Sequence, residues 1–176
     1  TTEIYTLSLH DALPISEFLG PRHFCFHPSL DVVYFSDEQG GSVTGYRLDS
    51  STGTLSAFQT VSTLPDGFSG RHTCSQIQIT PSGSYLYVPN RGHNSIAGFS
   101  VDASTGHLTS IGQTPTKSIP SAFSLDPDGA YLFAAGSESD RLAAYRIDGA
   151  TGGLTPLETY AAGKRPMGVL IANVGG

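Results

Sequence analysis

Apolar and polar residues alternate along the chain over short stretches, which is the pattern of half-buried β-strands rather than of helices. The stretches HFCFH, QIQIT and AFSLD alternate in this way, and each runs into a proline-containing turn. A short aromatic-rich strand follows each turn, as VVYF, YLYV and YLFA. The third strand, VTGYRLD, IAGFSVD or LAAYRID, ends at an STG or ATG turn, and a fourth begins at the leucine that follows. Each unit is therefore predicted to contain four strands.

This unit occurs three times with constant internal spacing, anchored at Pro28, Pro81 and Pro127. Aromatic residues stand 6 and 18 positions after each anchor, an aspartate 21 after it, and a glycine and a leucine 25 and 27 after it. Four-stranded units of roughly 40–50 residues are typical of β-propeller blades, whereas solenoid repeats are shorter. The sequence thus predicts an all-β fold, a partial β-propeller of antiparallel blades.

The repeats define the boundaries of the predicted propeller. Blades are predicted over about 18–63, 69–116 and 117–162, and the closing stretch GKRPMGVLIANVGG predicts one further inner strand over 165–173. Because propellers have about four to eight blades, residues 17–176 are interpreted as the C-terminal part of a longer propeller. Both ends of such a part expose sheet edges, and we expect it to be inactive alone.

The first sixteen residues, TTEIYTLSLHDALPIS, contain none of the blade positions. They include Ser8, His10 and Asp11, the residue types of a nucleophilic triad, but triad members are assembled by three-dimensional geometry from separate parts of a chain. Back-translated, the stretch resembles a common short-read sequencing adapter. Residues 1–16 are therefore interpreted as a non-native, unstructured segment.

Composition narrows the possible partners. Charged residues make up 14% of the chain, the net charge is −6, and only two lysines occur, so nucleic acid is not an expected partner. No apolar run approaches the roughly 18 residues that span a bilayer, so no membrane partner is expected. Cys25 and Cys74 lack metal-site spacing and are predicted to be buried free thiols, which favours a cytoplasmic location. No metal site and no cofactor are expected, since no phosphate-binding or metal motif occurs.

Polar positions that differ between the repeats mark the candidate site. The residues six before and ten after each anchor are predicted to face one another across the first hairpin, at one mouth of the central channel. These pairs are Arg22 with Glu38, Ser75 with Arg91, and Ser121 with Ser137, with His23 and Gln76 beside the first two pairs. Two arginines, a histidine and a glutamate there could bind an anionic small molecule and supply an acid or a base.

The same residues also have a structural interpretation. Arg22 and Glu38 could form a surface ion pair worth only a fraction of a kcal/mol, and His23 could hydrogen-bond to the next blade. His27 is predicted to be structural. The aspartates that precede the STG and ATG turns recur in every unit and are predicted to accept hydrogen bonds from turn N–H groups.

Beyond these patterns, the chain resembles the C-terminal blades of the lactonase family of seven-bladed propellers. The resemblance spans residues 18–173 and rests on GPRHFCFHP, YFSDEQGGSVTGYRLD, YLYVPNRGHNSIAGFSVD, YLFAAGSESDRLAAYRID and RPMGVLI. The family includes bacterial 6-phosphogluconolactonase and the fungal carboxy-muconate cyclising enzyme. The resemblance implies a lactone hydrolase acting on a sugar lactone such as 6-phosphogluconolactone. A muconate-lactonising enzyme and a non-enzymatic propeller that binds a partner remain alternatives.

The resemblance also implies catalytic roles for Arg22, His23, Glu38 and Arg91. Arg22 and His23 match the family's G-P-R-H, Glu38 its acidic residue at the end of the following strand, and Arg91 the arginine of its N-R-G-H. The two arginines would bind a phosphate or carboxylate and stabilise the oxyanion as water attacks the lactone carbonyl. Glu38 or His23 would move the proton.

Three departures from the family pattern stand beside these matches. Gln76 occupies a position that is usually acidic, and Ser121 one that is usually arginine. A further family histidine, proposed to be catalytic, belongs to blades upstream of residue 16. The resemblance is therefore more specific for the fold than for the binding of a phosphate.

Overall fold

Twelve strands form three four-stranded antiparallel sheets in the computed structural model, which describes residues 19–172. Sheet 1 contains β1 (Pro21–Phe26), β2 (Val32–Asp37), β3 (Ser42–Asp49) and β4 (Thr54–Ser62). Sheet 2 contains β5 (Gln78–Ile79), β6 (Tyr85–Asn90), β7 (Ser95–Val101) and β8 (Leu108–Pro115). Sheet 3 contains β9 (Pro120–Leu125), β10 (Tyr131–Gly136), β11 (Arg141–Ile147) and β12 (Leu154–Ala161).

The predicted all-β fold of three four-stranded antiparallel blades is confirmed, because in each sheet the strands pair in chain order. The segment 1–16 and its three triad-like residues lie outside the described residues. None of the residues 19–172 belongs to a helix that could cross a membrane.

Two strand predictions differ from the structure. The predicted strand QIQIT is reduced to Gln78–Ile79, preceded by an isolated bridge between Cys74 and Asn90. Residues 165–172 form no strand. A strand needs a hydrogen-bonded neighbour, and each of the three sheets is already complete with four. The inner strand predicted there therefore has no sheet to join among the described residues.

Most of the hydrophobic core lies between successive sheets. One cluster joins sheet 1 to sheet 2 around Tyr34, Leu86 and Phe99, and a second joins sheet 2 to sheet 3 around Tyr87 and Phe123. We call the face of each sheet on the side of the sheet before it in the chain its leading face. The leading face of sheet 2 thus packs on sheet 1, and that of sheet 3 on sheet 2.

The leading face of sheet 1 has the same apolar positions but no sheet packed against it among the described residues. Phe24 and Phe26 are 55% and 58% exposed, whereas Phe123 and Leu125 at the same repeat positions of sheet 3 are 0% and 8% exposed. The Phe24 and Phe35 rings lie with their centroids 5.5 Å apart. This aromatic face resembles, position by position, the faces that sheets 2 and 3 bury.

A tyrosine hydroxyl links each sheet to the next. Tyr34 donates to the carbonyl of Gly106 at 2.6 Å, and Tyr87 donates to that of Gly152 at 2.8 Å. Both glycines close the STG or ATG turn with a φ of about +70°, a conformation that side chains disfavour. The repeat positions +6 and +25 therefore meet across two neighbouring sheets.

The aspartates of these turns act as predicted. Asp49, Asp102 and Asp148 each accept backbone N–H groups two and three residues further on, at 2.8–3.3 Å. Hydroxyl hydrogen bonds from Ser51 and Ser104, together with these N–H groups, hold the pKa of Asp49 and Asp102 below the usual value, and the Thr151 N–H does the same for Asp148. His27 is also structural, since its Nδ1 accepts the backbone N–H of Leu30 at 3.0 Å.

The Tyr34 hydroxyl provides a test of the contact between sheets. Replacing Tyr34 by Phe leaves the buried Gly106 carbonyl without this donor, and we expect the free energy of unfolding to fall by about 1–2 kcal/mol. Tyr131→Phe is the matched control, because Tyr131 is 41% exposed, and its effect should stay within about 0.5 kcal/mol. Urea denaturation measures both, and equal midpoints for the two variants would contradict the assignment.

Candidate functional site

The four predicted site residues come together where sheets 1 and 2 meet. Glu38 follows β2, and its Oε2 lies 3.4 Å from Nε of Arg22 on the neighbouring strand β1. Its other carboxylate oxygen, Oε1, pairs with Nη2 of Arg91, which follows β6 in sheet 2. The side chains are partly buried, with 33%, 32% and 22% of Arg22, Glu38 and Arg91 exposed. One carboxylate thus binds arginines of two sheets.

Buried polar residues directly before Glu38 and Arg91 fix these two positions. Asp37 is 1% exposed and accepts the hydroxyls of Ser42 at 2.8 Å and Thr44 at 2.7 Å. Burial raises the pKa of Asp37, and these two hydrogen bonds partly offset the rise. At the equivalent position of sheet 2, the amide of Asn90 donates to the Thr63 carbonyl at 2.7 Å. The rim loops of sheets 1 and 2, which are the turns after the second strand of each sheet, are thus anchored by a buried polar side chain directly before them.

The segment that leads into β5 runs between the two loops and connects them. The N–H of Arg91 donates to the Thr73 carbonyl at 2.9 Å, and that of Cys74 donates to the Glu38 carbonyl at 3.3 Å. The Arg91 guanidinium also donates to the Cys74 carbonyl at 3.2 Å. The backbone therefore supports both members of the Glu38–Arg91 pair.

His23 completes the cluster beside Arg22. Its backbone N–H donates to the Ser36 hydroxyl at 3.3 Å, and its side chain is half-buried. Burial lowers the pKa of His23 below 6.5, the positive charges of Arg22 and Arg91 lower it further, and Glu38 opposes them. A lowered pKa favours the neutral imidazole at pH 7, which is the form that can accept a proton.

The cross-strand pairing predicted from the repeat is wrong by one residue on each strand. In sheet 1 a register shift lies between Pro21, opposite Asp37, and His23, opposite Ser36, while in sheet 2 the bridge joins Cys74 to Asn90. The long Arg22 and Glu38 side chains still meet. Ser75 does not lie opposite Arg91, and its hydroxyl instead donates to the carbonyl of Pro120 in sheet 3 at 3.0 Å.

The side chains at the remaining candidate positions form hydrogen bonds with the backbone. Gln76, at the family's acidic position, accepts the N–H of Phe123 at 2.7 Å and so ties sheet 2 to sheet 3. Ser121 and Ser137 both donate to the carbonyl of Ile119, at 3.1 and 3.3 Å. The third predicted pair therefore contributes no charged group to the site.

Sequence reasoning missed a cleft on the other side of Arg91, between sheets 2 and 3. It has a volume of about 390 Å³. It is lined by Arg71, Thr73, Arg91, Gly92, Ile119 and Glu138. A length difference could have indicated it: β4 ends at Ser62 and β5 begins at Gln78, whereas β8 ends at Pro115 and β9 begins at Pro120. The longer connection is an insertion relative to the repeat, and it carries Arg71.

The fold agrees with the comparisons to known proteins. The model of the family described as lactonase, 7-bladed β-propeller, matches residues 3–171. The chain therefore belongs to the lactonase family, as the sequence resemblance suggested. Its three sheets are blades of that propeller.

Among curated relatives, the 6-phosphogluconolactonase of Pectobacterium atrosepticum is 38% identical over 152 residues, which are 86% of this chain and 46% of that protein. The chain thus spans about half the length of this relative. A crystal structure described as a putative 6-phosphogluconolactonase from Bacteroides fragilis has a TM-score of 0.81 and 30% identity, over 89% of this chain and 43% of the other. The periplasmic gluconolactonase of Pseudomonas aeruginosa has a TM-score of 0.81 and 27% identity, over 86% and 42%.

Coupling between Glu38 and Arg91 can be measured by a double-mutant cycle. Because both side chains are partly buried and Glu38 accepts a hydrogen bond from the Arg91 guanidinium, we expect the variants Glu38→Gln and Arg91→Gln to interact by about 1 kcal/mol in unfolding free energy. The coupling should weaken as salt is added. Additive effects of the two substitutions would show that the pair has no energetic consequence.

Proposed function

We propose that the protein to which these blades belong is a lactone hydrolase, and that 6-phosphogluconolactone or a closely related sugar lactone is its substrate. The names of the relatives support this reaction class. One observation carries the proposal at the level of the site: Glu38 lies between arginines of two blades, with the neutral imidazole of His23 beside them.

The geometry supports a division of roles. Arg22 and Arg91 supply positive charge where the carbonyl oxygen becomes negative, while Glu38 holds both guanidinium groups in place. His23 accepts the proton of the attacking water as its oxygen bonds to the lactone carbon. When the ring C–O bond breaks, the imidazolium returns this proton to the leaving alkoxide, and the product is a hydroxy acid.

Further blades belong to the proposed enzyme. Phe24 and Phe26 are more than half exposed on the leading face of sheet 1, whereas Ile77, Phe123 and Leu125 at equivalent positions of sheets 2 and 3 are buried. We propose that a further blade packs there and that residues 1–176 alone do not turn over substrate. The free thiols of Cys25 and Cys74 support our proposal of a cytoplasmic location.

Two alternatives require their own assays. A muconate-lactonising enzyme would cyclise a carboxy-muconate, so comparing this substrate with a sugar lactone separates the two activities. A non-enzymatic propeller would bind a partner and turn over neither. Turnover of the sugar lactone by the longer protein excludes both alternatives as its main function.

The catalytic assignment predicts a large loss of turnover. Removing one charged stabiliser of an oxyanion costs about 10²–10³ in kcat, and we expect losses of this size in Arg91→Ala and, through displacement of the arginines, in Glu38→Gln. Glu158→Gln is the matched control, because Glu158 is exposed on β12. Lactone hydrolysis by the longer protein is the measurement, and unchanged rates in both site variants would refute the assignment.

The lowered pKa of His23 predicts the shape of the pH profile. Since the neutral imidazole is the active form and its pKa lies below 6.5, activity should be full at pH 7 and decline only as the pH falls through that lower value. His23→Gln should reduce kcat and remove this acid limb. A profile of kcat/KM from pH 5 to 8 measures it, after subtraction of uncatalysed hydrolysis. An identical acid limb in His23→Gln would assign it to another group.

A further inference from the structure

We propose that the cleft between sheets 2 and 3 is an anion subsite in which Arg71 binds the phosphate or carboxylate of a sugar substrate. The proposal deepens the proposed function, because it assigns the anionic end of the substrate to a residue outside the Arg22–Glu38–Arg91 cluster. The cleft shares only Arg91 with that cluster. Its volume of about 390 Å³ lies within the usual range for small-molecule sites.

The backbone places Arg71 at this cleft. A Cβ atom on Gly92 would overlap the Arg71 carbonyl oxygen, so the absence of a side chain at Gly92 permits the two segments to touch. Two residues further on, the Thr73 carbonyl accepts the N–H of Arg91. The inserted connection is therefore anchored against the rim loop of sheet 2, and Arg71 lies in its final part.

Arg71 differs from Arg22 and Arg91 in that no carboxylate neutralises its charge among the described residues. Arg22 and Arg91 share the carboxylate of Glu38, which neutralises part of their charge. Within residues 19–172, Arg71 forms no ion pair, and its side chain is exposed at the cleft. An arginine with this freedom can bind a phosphate or carboxylate through two parallel hydrogen bonds.

Glu138 adds a negative charge to a cleft that also contains the positive charges of Arg71 and Arg91. It lies in the rim loop of sheet 3 and accepts the Ser118 hydroxyl at 3.4 Å. Its carboxylate repels an anion and accepts hydroxyl groups, so a sugar with one charged end is oriented with the anion at Arg71 and hydroxyl groups at Glu138. Because Arg91 belongs both to the cleft lining and to the Glu38 cluster, the ring of a molecule bound in this orientation would lie next to that cluster.

Every residue of this cleft lies within the chain, so binding can be measured without turnover. The probes are glucose 6-phosphate and glucose, which differ only in the charged group, titrated into the 176-residue chain. We expect the chain to bind glucose 6-phosphate more tightly than glucose. Arg71→Gln should weaken the binding of glucose 6-phosphate by about 10- to 100-fold and leave that of glucose unchanged. Arg71→Lys should retain part of the affinity.

Arg146→Gln is the matched control, because Arg146 is exposed on β11 and should not affect either probe. Urea denaturation verifies that each variant is folded. The proposal is overturned if the chain does not distinguish the two probes, or if Arg71→Gln binds glucose 6-phosphate as tightly as the unchanged chain does. It is also overturned if Arg71→Gln weakens both probes equally, which would indicate a general effect on the loop.

A kinetic experiment separates this proposal from the proposed function. In the longer protein, Arg71→Gln should raise KM for 6-phosphogluconolactone by the same factor, with kcat unchanged and no effect on uncharged gluconolactone. If no lactone is hydrolysed but Arg71-dependent binding remains, the proposed function fails and the subsite stands. If lactones are hydrolysed and Arg71→Gln alters neither KM nor binding, the subsite fails and the proposed function stands.

Discussion

The hydrogen bond from the Tyr34 hydroxyl to the Gly106 carbonyl fixes how sheet 1 lies on sheet 2, and the site depends on that relation. It is buried, measures 2.6 Å and joins residues 72 positions apart. A carbonyl buried at this interface without a donor would cost about 1–3 kcal/mol, so the hydrogen bond favours one arrangement of the two sheets over shifted ones. Glu38 and Arg91 face each other across the same interface, and a shifted sheet would separate them.

The Glu38 cluster contributes more to positioning than to stability. Ion pairs that are about a third exposed contribute little to the free energy of unfolding, because water and salt screen the attraction. The cluster instead holds two guanidinium groups close together, because both pair with the carboxylate of Glu38. The same charge acts on His23: together with burial, it lowers the pKa of the imidazole and keeps it neutral. In the proposed reaction, the cationic pair would stabilise the oxyanion and the neutral imidazole would accept the proton of the attacking water.

The sequence was sufficient to predict most of the fold and the four residues of the cluster, because both follow the repeat. Strand alternation, the turn aspartates and the polar positions recur at constant distances from the anchoring prolines. The predicted partners were wrong because the regular ladder of sheet 1 pairs His23 with Ser36, which already excludes Arg22 opposite Glu38, and a register shift between Pro21 and His23 moves the pairing further. The strand Gln78–Ile79 is short although its sequence alternates, and the side chains of Gln76 and Gln78 accept backbone N–H groups of β9 instead.

The cleft was missed for a different reason: its charged residues lie outside the repeat. Arg71 belongs to the inserted connection, and Glu138 stands one position beyond the repeat position that was compared. Periodicity cannot place such residues, because a loop without equivalents in the other units has no pattern to follow. The remaining indication of the cleft in the sequence was that the connection between sheets 1 and 2 is longer than the connection between sheets 2 and 3.

One repeat position explains why the two junctions between sheets differ. Ten residues after the anchoring proline stand Glu38, Arg91 and Ser137 in successive sheets. Opposite charges close the junction between sheets 1 and 2 with an ion pair. At the next junction the equivalent residue, Ser137, carries no charge and donates to the Ile119 carbonyl, and its neighbour Glu138 lines the cleft beside Arg91. Arg91 belongs both to the Glu38 cluster and to the lining of the cleft, so the proposed catalytic and anion-binding parts of the site share this residue.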